Sequence, residues 1–163
     1  MGKRYLHAFL LFACIGLTAC TSSSKLVDHS FSFDAILDSP GITILDYRYG
    51  SSDFPGTANT EERRKDGRSD QGTGTTGPMV PGEELYVKWR IDATNQIVER
   101  TVDLRNKFPK NLDGHTVYFI VEGAQLFVYL VTPEARDTRT PPIGSKKHRH
   151  RKVVRLVPDS QSN

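Results

Sequence analysis

The sequence predicts an all-β domain, an antiparallel β-sandwich of about seven short strands, with a small β-barrel as the alternative. In several short stretches, apolar and polar residues alternate with the period of two that is typical of half-buried strands. Gly, Pro, Asn and Asp cluster between these stretches, as turn residues do. No stretch shows the 3.6-residue periodicity of a substantial helix. These observations favour a rigid β scaffold whose function lies on its loops.

The first two strands are expected between residues 31 and 49. Alternation with polar residues marks the first of them at Phe31, Phe33, Ala35 and Leu37. Ser39-Pro40-Gly41 then indicates a turn. Residues 42–49 are rich in β-branched and aromatic side chains and end at Gly50, which predicts a second strand.

Two hairpins are expected next. Residues 85–91 and 96–104 form the first, and its alternation places Trp89 in the core. Arg100 falls in phase with the apolar residues of that hairpin, which predicts either a bulge or a side chain that escapes at a sheet edge. Residues 116–121 and 125–131 form the second hairpin, and they are apolar on both faces, as central strands are. Residues 153–157 offer the last short strand.

The first of two long polar loops is expected over residues 50–82, which are rich in Gly, Pro, Ser, Thr and charged residues. A loop of this length is either disordered or functional. A short helix over residues 60–65 is possible. The loop contains Gly72-Thr73-Gly74-Thr75-Thr76-Gly77, formally G-x-G-x-x-G, but Pro78 and Pro81 follow and no helix opens there. A nucleotide site is therefore not expected, and the glycines indicate flexibility.

An export signal is predicted by Lys3 and Arg4 followed by an apolar run over residues 6–17, which is short for a membrane span. The run ends in Leu17-Thr18-Ala19-Cys20, which resembles the lipobox of bacterial lipoproteins. That resemblance implies removal of residues 1–19 and lipidation of Cys20, with an acyl chain such as palmitate as the membrane anchor. An ordinary cleaved signal followed by a chance cysteine is the alternative.

The lipobox resemblance also implies a location in the cell envelope. Thr21 stands where the inner-membrane retention signal known in enteric bacteria has Asp, which favours the outer membrane, facing the periplasm. Residues 20–30 are expected to be a lipidated cysteine and flexible tether, residues 31–157 a single β domain, and residues 158–163 a disordered tail. Cys14 leaves with the signal and Cys20 carries the lipid, so no cysteine is left for a disulfide.

Charge is concentrated near the C-terminus. The formal net charge is +3, and it falls to +1 without Lys3 and Arg4. Residues 143–163 hold six Lys or Arg against one Asp. The second long loop, over residues 143–152, contains the basic run Lys146, Lys147, His148, Arg149, His150, Arg151 and Lys152. An exported protein would meet anionic lipid, lipopolysaccharide or an acidic protein there, whereas nucleic acid is not an expected partner. A solvated charged loop is the plainer interpretation.

A second candidate binding surface combines aromatic and basic side chains on two predicted strands. Tyr and Arg are common anchors of protein interfaces. The residues concerned are Tyr47, Arg48, Tyr49, Tyr86, Lys88 and Arg90. An ordinary strand with one exposed face is the alternative interpretation.

Catalytic and cofactor chemistry finds little support in the sequence. His148 and His150 lie among like charges, so no metal site is expected, and no cofactor is predicted. No G-x-S-x-G elbow is present, and His115 after Asp113-Gly114 most simply ends a turn. Many carboxylates occur, but the sequence singles out no pair.

These observations predict a lipid-anchored, non-enzymatic envelope protein that binds another macromolecule, with a protein of the envelope as the expected partner. The architecture also resembles that of periplasmic immunity lipoproteins, which neutralise secreted antibacterial effectors. An envelope hydrolase whose site the sequence does not reveal is the third hypothesis.

Overall fold

The computed structural model describes residues 25–158, and the predicted signal peptide, Cys20, residues 21–24 and residues 159–163 lie outside them. Eight strands form two sheets, which confirms the all-β sandwich. The strands are β1 (Val27–Asp34), β2 (Ile42–Tyr49), β3 (Gly72–Met79), β4 (Glu84–Ile91), β5 (Gln96–Asp103), β6 (Thr116–Glu122), β7 (Gln125–Ala135) and β8 (Arg151–Val157). Two short helices, α1 (Ala35–Asp38) and α2 (Glu61–Lys65), and a 3-10 turn (Lys146–His148) complete the fold.

The larger sheet has the order β3-β1-β6-β7-β8 and the smaller one β2-β4-β5. Both predicted hairpins are present, β4–β5 in the smaller sheet and β6–β7 in the larger. The pairing is antiparallel except between β1 and β6, which run parallel. The larger sheet is therefore mixed. Parallel pairing of β1 with β6 is possible because β2 to β5 lie between them in the sequence and form a long connection.

Aromatic side chains fill the space between the sheets. The Phe31 and Tyr49 rings stack with centroids 4.7 Å apart, and the Phe33 and Phe119 rings with centroids 4.4 Å apart. Trp89 is fully buried, as predicted, and its indole N–H donates to the main-chain oxygen of Gly123 at 2.8 Å. This hydrogen bond ties the smaller sheet to the β6–β7 turn of the larger one and satisfies the polar atom that the indole brings into the core.

The first strand differs from the prediction at both ends. β1 begins at Val27, inside the expected tether, because Val27 and Asp28 pair with β3 and His29 is buried. It ends at Asp34, whose carboxylate accepts from the backbone N–H of Leu37 at 3.0 Å and so caps α1. Residues 35–37 therefore belong to a helical turn instead of a strand. A local side-chain cap outweighs their alternating pattern.

The expected loop over residues 50–82 contains the eighth strand and the predicted short helix. β3 pairs along the whole of β1, and only Met79 of its side chains is buried. A strand of Gly, Thr and Pro contributes main-chain hydrogen bonds and little apolar area, so its sequence resembles a loop. α2 begins after Thr60, whose hydroxyl accepts from the backbone N–H of Arg63 at 3.3 Å.

The rest of this loop covers the open edge of β2. Backbone hydrogen bonds join Tyr49 N–H to Thr57 O at 2.8 Å and Asn59 N–H to Tyr47 O at 3.0 Å. The side-chain amide of Gln71 both accepts from the N–H of Ile44 and donates to its carbonyl, each at 2.9 Å. Gln71 thus pairs with β2 as a neighbouring strand would, which protects an edge from pairing with another chain.

The position of Arg100 among apolar residues is explained by its place on an edge strand of the smaller sheet. The β4–β5 register is continuous, so no bulge occurs there, and β5 is the last strand of the smaller sheet. The Arg100 side chain is exposed at that edge.

We expect Gln71→Ala to lower the free energy of unfolding by about 1–2 kcal/mol, because the N–H and C=O of Ile44 lose their partner in a partly buried place. Chemical denaturation measures this change. The matched control is Gln96→Ala, the same substitution at an exposed position. Equal effects of the two substitutions would contradict a specific role for the Gln71 amide.

Candidate binding surface

Two of the aromatic residues predicted to bind, Tyr47 and Tyr49, are core residues. Both are buried, and a hydrogen bond of 3.1 Å joins the Tyr49 hydroxyl to His29 Nε2. The register of β2 against β4 shifts between Ile44 and Asp46. Ile44 faces the core before this bulge and Tyr47 and Tyr49 face it afterwards, so the bulge turns both tyrosines inward. The prediction that these tyrosines form a surface is therefore wrong.

The other members of that group do share one surface. Arg48, Tyr86, Lys88 and Arg90 lie on the outer face of the smaller sheet, which we call the charged face. The Arg48 guanidinium lies 5.9 Å from the centre of the Tyr86 ring, a cation–π geometry. Burial, with the nearby Glu99 carboxylate second, raises the pKa of Tyr86 to about 12. Tyr86 is therefore a neutral hydrogen-bonding group at physiological pH.

Each cation of the charged face has an anion beside it. Nitrogen–oxygen distances are 3.5 Å for Arg48 and Glu84, 3.8 Å for Lys88 and Glu99, and 3.1 Å for Arg90 and Asp92. Exposed pairs of this kind contribute little to stability. Their effect here is to leave the charged face nearly neutral.

The predicted basic run, residues 146–152, is an ordered part of the domain, and we call it the basic segment. It begins with the 3-10 turn, capped by the buried Ser145, whose hydroxyl accepts from the backbone N–H of Lys147 at 3.1 Å. Just before it, Gly144 lies flat against the ring of Tyr129, where a Cβ atom would come within 3.1 Å of the ring. The segment thus lies over the outer face of the larger sheet, opposite the charged face.

Asp38 fixes the start of the basic segment. Its carboxylate accepts from the backbone N–H of Lys146 at 2.9 Å and from the hydroxyl of Tyr118 at 2.7 Å. Burial raises the pKa of Tyr118, so the hydroxyl keeps its proton and remains a donor. The Lys146 ammonium also donates to Leu37 O at 3.0 Å. Contacts with α1 and β6 therefore hold a run of like charges that would otherwise repel one another.

His148 packs inward from the same turn. Its ring meets the Tyr118 ring edge-on, with centroids 5.2 Å apart, and its buried Nε2 has no hydrogen-bond partner among the described residues. Burial, and next the Lys147 ammonium, lower the pKa of His148. The neutral imidazole is therefore favoured, and His148 acts as an apolar anchor instead of a surface cation.

The second half of the basic segment points outward. Arg149 and His150 are exposed, and their side chains hydrogen-bond to each other at 3.1 Å. Arg151 and Lys152 are the first residues of β8, where Arg151 donates to Pro133 O and Lys152 pairs with Glu134 at 2.8 Å. Lys147 forms no ion pair with any residue in the range 25–158. The segment thus carries an excess of positive charge that the charged face lacks.

Sequence reasoning missed the residues that hold this surface in place, namely Asp38, Tyr118 and Ser145. Ser145 could have been recognised, because a serine directly before a helical turn is a typical N-cap. Asp38 gave no signal, since its two donors lie in distant parts of the chain.

A cleft of about 660 Å³ lies at one end of the charged face and contains several carboxylates. The Arg105 guanidinium, paired at 2.6 Å, lowers the pKa of Asp103 to about 2. Asp103 is therefore a fixed anion, whereas glycosidase-type chemistry also needs a carboxyl group that keeps its proton. His115 lies elsewhere and hydrogen-bonds Asp113 O at 2.9 Å, as a turn residue would.

Within residues 25–158, no three His, Cys, Asp or Glu side chains are grouped closely enough to hold a metal ion. No helix in this part of the chain is long and apolar enough to cross a membrane. Comparisons with known protein families, with curated proteins and with solved structures find no match to the chain.

We expect Asp38→Ala to destabilise the protein by about 2–4 kcal/mol, because the Tyr118 hydroxyl and the Lys146 N–H both lose their acceptor. Trypsin should also cut the basic segment faster. Denaturation and timed proteolysis measure the two effects. Asp28→Ala, which removes the same charge from an exposed position, is the control. Unchanged cleavage in Asp38→Ala would show that Asp38 does not hold the segment.

The lowered pKa values of His29 and His148 predict acid sensitivity. A histidine with a lower pKa in the folded state binds fewer protons there than in the unfolded state, so the stability it contributes is lost as pH falls below about 6.5. Replacing His148 with Phe keeps an aromatic ring on Tyr118 and removes its proton site. The free energy of unfolding should then fall less between pH 7.5 and 5 than in the wild type. Parallel pH curves would contradict this.

Proposed function

We propose that the protein is a lipid-anchored, non-enzymatic binding protein of the bacterial envelope, and that its β-sandwich holds a macromolecular partner through the basic segment. The predicted lipobox at Leu17-Thr18-Ala19-Cys20 supports lipid anchoring. Position 21 is Thr and not the Asp of the inner-membrane retention signal, which supports a location at the outer membrane, facing the periplasm. The observation that carries the binding role is the fixed geometry of the basic segment.

That geometry matters because binding costs conformational entropy. A free loop must be ordered when a partner binds, and fixing the backbone of one residue costs about 1–2 kcal/mol. Here the Ser145 cap, the Asp38 carboxylate and the His148 ring already fix the backbone of the segment. A surface prepared in this way loses less entropy when it meets an acidic partner.

Charge balance distinguishes the two candidate surfaces. On the charged face each arginine or lysine has a carboxylate beside it, so a partner would have to break existing pairs. Of the five Lys and Arg residues of the basic segment, Lys152 alone forms an ion pair within residues 25–158, with Glu134. Electrostatic steering therefore favours the basic segment for an acidic partner.

Chain direction relates the basic segment to the anchor. β1 runs parallel to β6, and β8 also runs in the direction of β6 because both are antiparallel to β7. β1 and β8 therefore begin at the same end of the sheet. Arg151 and Lys152 therefore lie at the end of the larger sheet at which β1 begins, which is the end nearer in sequence to the proposed lipid anchor. Anionic lipid or lipopolysaccharide is thus the competitor to an acidic envelope protein as the partner.

The test is affinity capture from envelope extract with the full chain, comparing Lys147→Glu/Arg149→Glu with a control, Lys65→Glu/Lys110→Glu, that makes the same charge change elsewhere on the surface. The basic-segment variant should bind its partner at least tenfold more weakly, about 1.4 kcal/mol, and the control should not. Quantitative mass spectrometry of the retained material measures this.

The outcomes separate the partner classes. One stoichiometric protein that survives moderate salt would support a specific partner and the immunity-lipoprotein hypothesis, whereas retained lipid that is lost with salt would support a membrane contact. If both variants capture the partner equally, or if the wild type captures nothing, the proposal is overturned and the hydrolase hypothesis becomes the one to test.

A further inference from the structure

The strand edges of the sandwich are not equivalent. The edge of β2 is covered by residues 57–59 and by Gln71. β3 contains Pro78, which lacks an N–H, and three glycines, of which Gly77 lies against the Phe54 ring. β5 and β8 are terminal strands, and no residue within 25–158 pairs with their outer edges. Their outward N–H and C=O groups can therefore accept another strand.

Charge distinguishes β8 from β5. β8 carries Arg151, Lys152 and Arg155 and no acidic residue, and the rest of the basic segment leads directly into it. β5 carries Glu99 and Asp103 with Arg100 as its one cation. An acidic strand is therefore attracted to β8 and repelled by β5. A second copy of β8 would place cations opposite cations, which disfavours a symmetric dimer at this edge.

β8 is also held ready for pairing. Its inner edge pairs with β7 at Val153, Val154 and Arg155. The carbonyl of His150, directly before the strand, accepts from the N–H of Arg136 at 3.0 Å. Both contacts fix the backbone of the strand in an extended form, so a partner strand finds an ordered template.

The strand offers apolar contacts as well. Val154 is 42% exposed in the middle of β8. A cavity of about 280 Å³ lies at the start of the strand, and its lining combines Arg151, Lys152 and Val153 with Pro141 and Ile143 of the preceding loop. Strand addition uses main-chain hydrogen bonds for affinity and such pockets for side-chain specificity.

We propose that the outer edge of β8 binds an extended acidic segment of the protein partner as an added β-strand, with the cations of the basic segment facing its carboxylates. This inference rests on the proposed function and names the partner chemistry and the mode of contact. A polypeptide fits this edge better than a lipid headgroup does, because the main-chain groups of β8 repeat at the spacing of another strand.

The experiment uses the full chain in zwitterionic micelles and an eight-residue peptide of alternating Glu and Val. Two further peptides have the same sequence but carry N-methyl groups on one or the other set of alternate residues. Only one set of N–H groups can face β8, so one methylated peptide should lose at least tenfold in affinity and the other should bind as the parent does. Amide exchange of β8 should slow on binding, while that of β5 should not.

Arg151→Glu/Lys152→Glu tests the charge requirement and should weaken the parent peptide at least tenfold. The control is Arg100→Glu on the other free edge, which should leave peptide affinity unchanged. Circular dichroism and denaturation show whether each variant is folded.

Two results would overturn strand addition. If both methylated peptides bind as well as the parent, the contact is electrostatic only; the proposed function then stands while this inference fails. If no peptide binds but phosphatidylglycerol vesicles do, the basic segment contacts lipid and β8 takes no strand. Loss of capture in both basic-segment and control variants would instead count against the proposed function itself.

Discussion

The sandwich depends on the aromatic contacts between its two sheets. Phe31 and Phe33 of β1 meet Tyr47 and Tyr49 of β2, and Phe119 of β6 joins them. Burying such rings is the largest favourable contribution that a domain without disulfides can draw on. The bulge in β2 is what turns both tyrosines inward, so one irregular residue pairing decides how the smaller sheet packs on the larger. Trp89 adds a hydrogen bond across the same interface.

A second, smaller core lies on the outer face of the larger sheet. Tyr118, Ile120, Tyr129 and Val131 form it, and they are covered by the chain that leads to the basic segment. The basic segment packs on these apolar side chains. The carboxylate of Asp38 fixes its position, because hydrogen bonds are directional and apolar contacts are not. A strongly charged run is thereby held as one surface. This is the link between the packing of the domain and its proposed role.

The two outer faces of the sandwich differ in how their charge is used. Each cation of the charged face has an anion beside it, so this face is polar without a strong electrostatic field. The basic segment concentrates charge of one sign next to the outer edge of β8, with which no residue in the range 25–158 pairs. Edges are normally blocked in natural sheets, as Gln71 blocks that of β2. In the proposed mode of binding, Arg151, Lys152 and Arg155 of β8 disfavour self-association at this edge and attract an acidic chain.

Period-two alternation and turn residues predicted the sandwich, both hairpins and the burial of Trp89, and the basic run is visible in the sequence itself. All of these depend on residues that are close together along the chain. Tertiary structure alone decided the rest. β3 was hidden because its glycines and threonines pair through the main chain, and the faces of Tyr47 and Tyr49 depended on a bulge that no local pattern marks. Asp38 joined the site because folding brings Lys146 and Tyr118 to its carboxylate from across the sequence, a contact that only the folded chain can make.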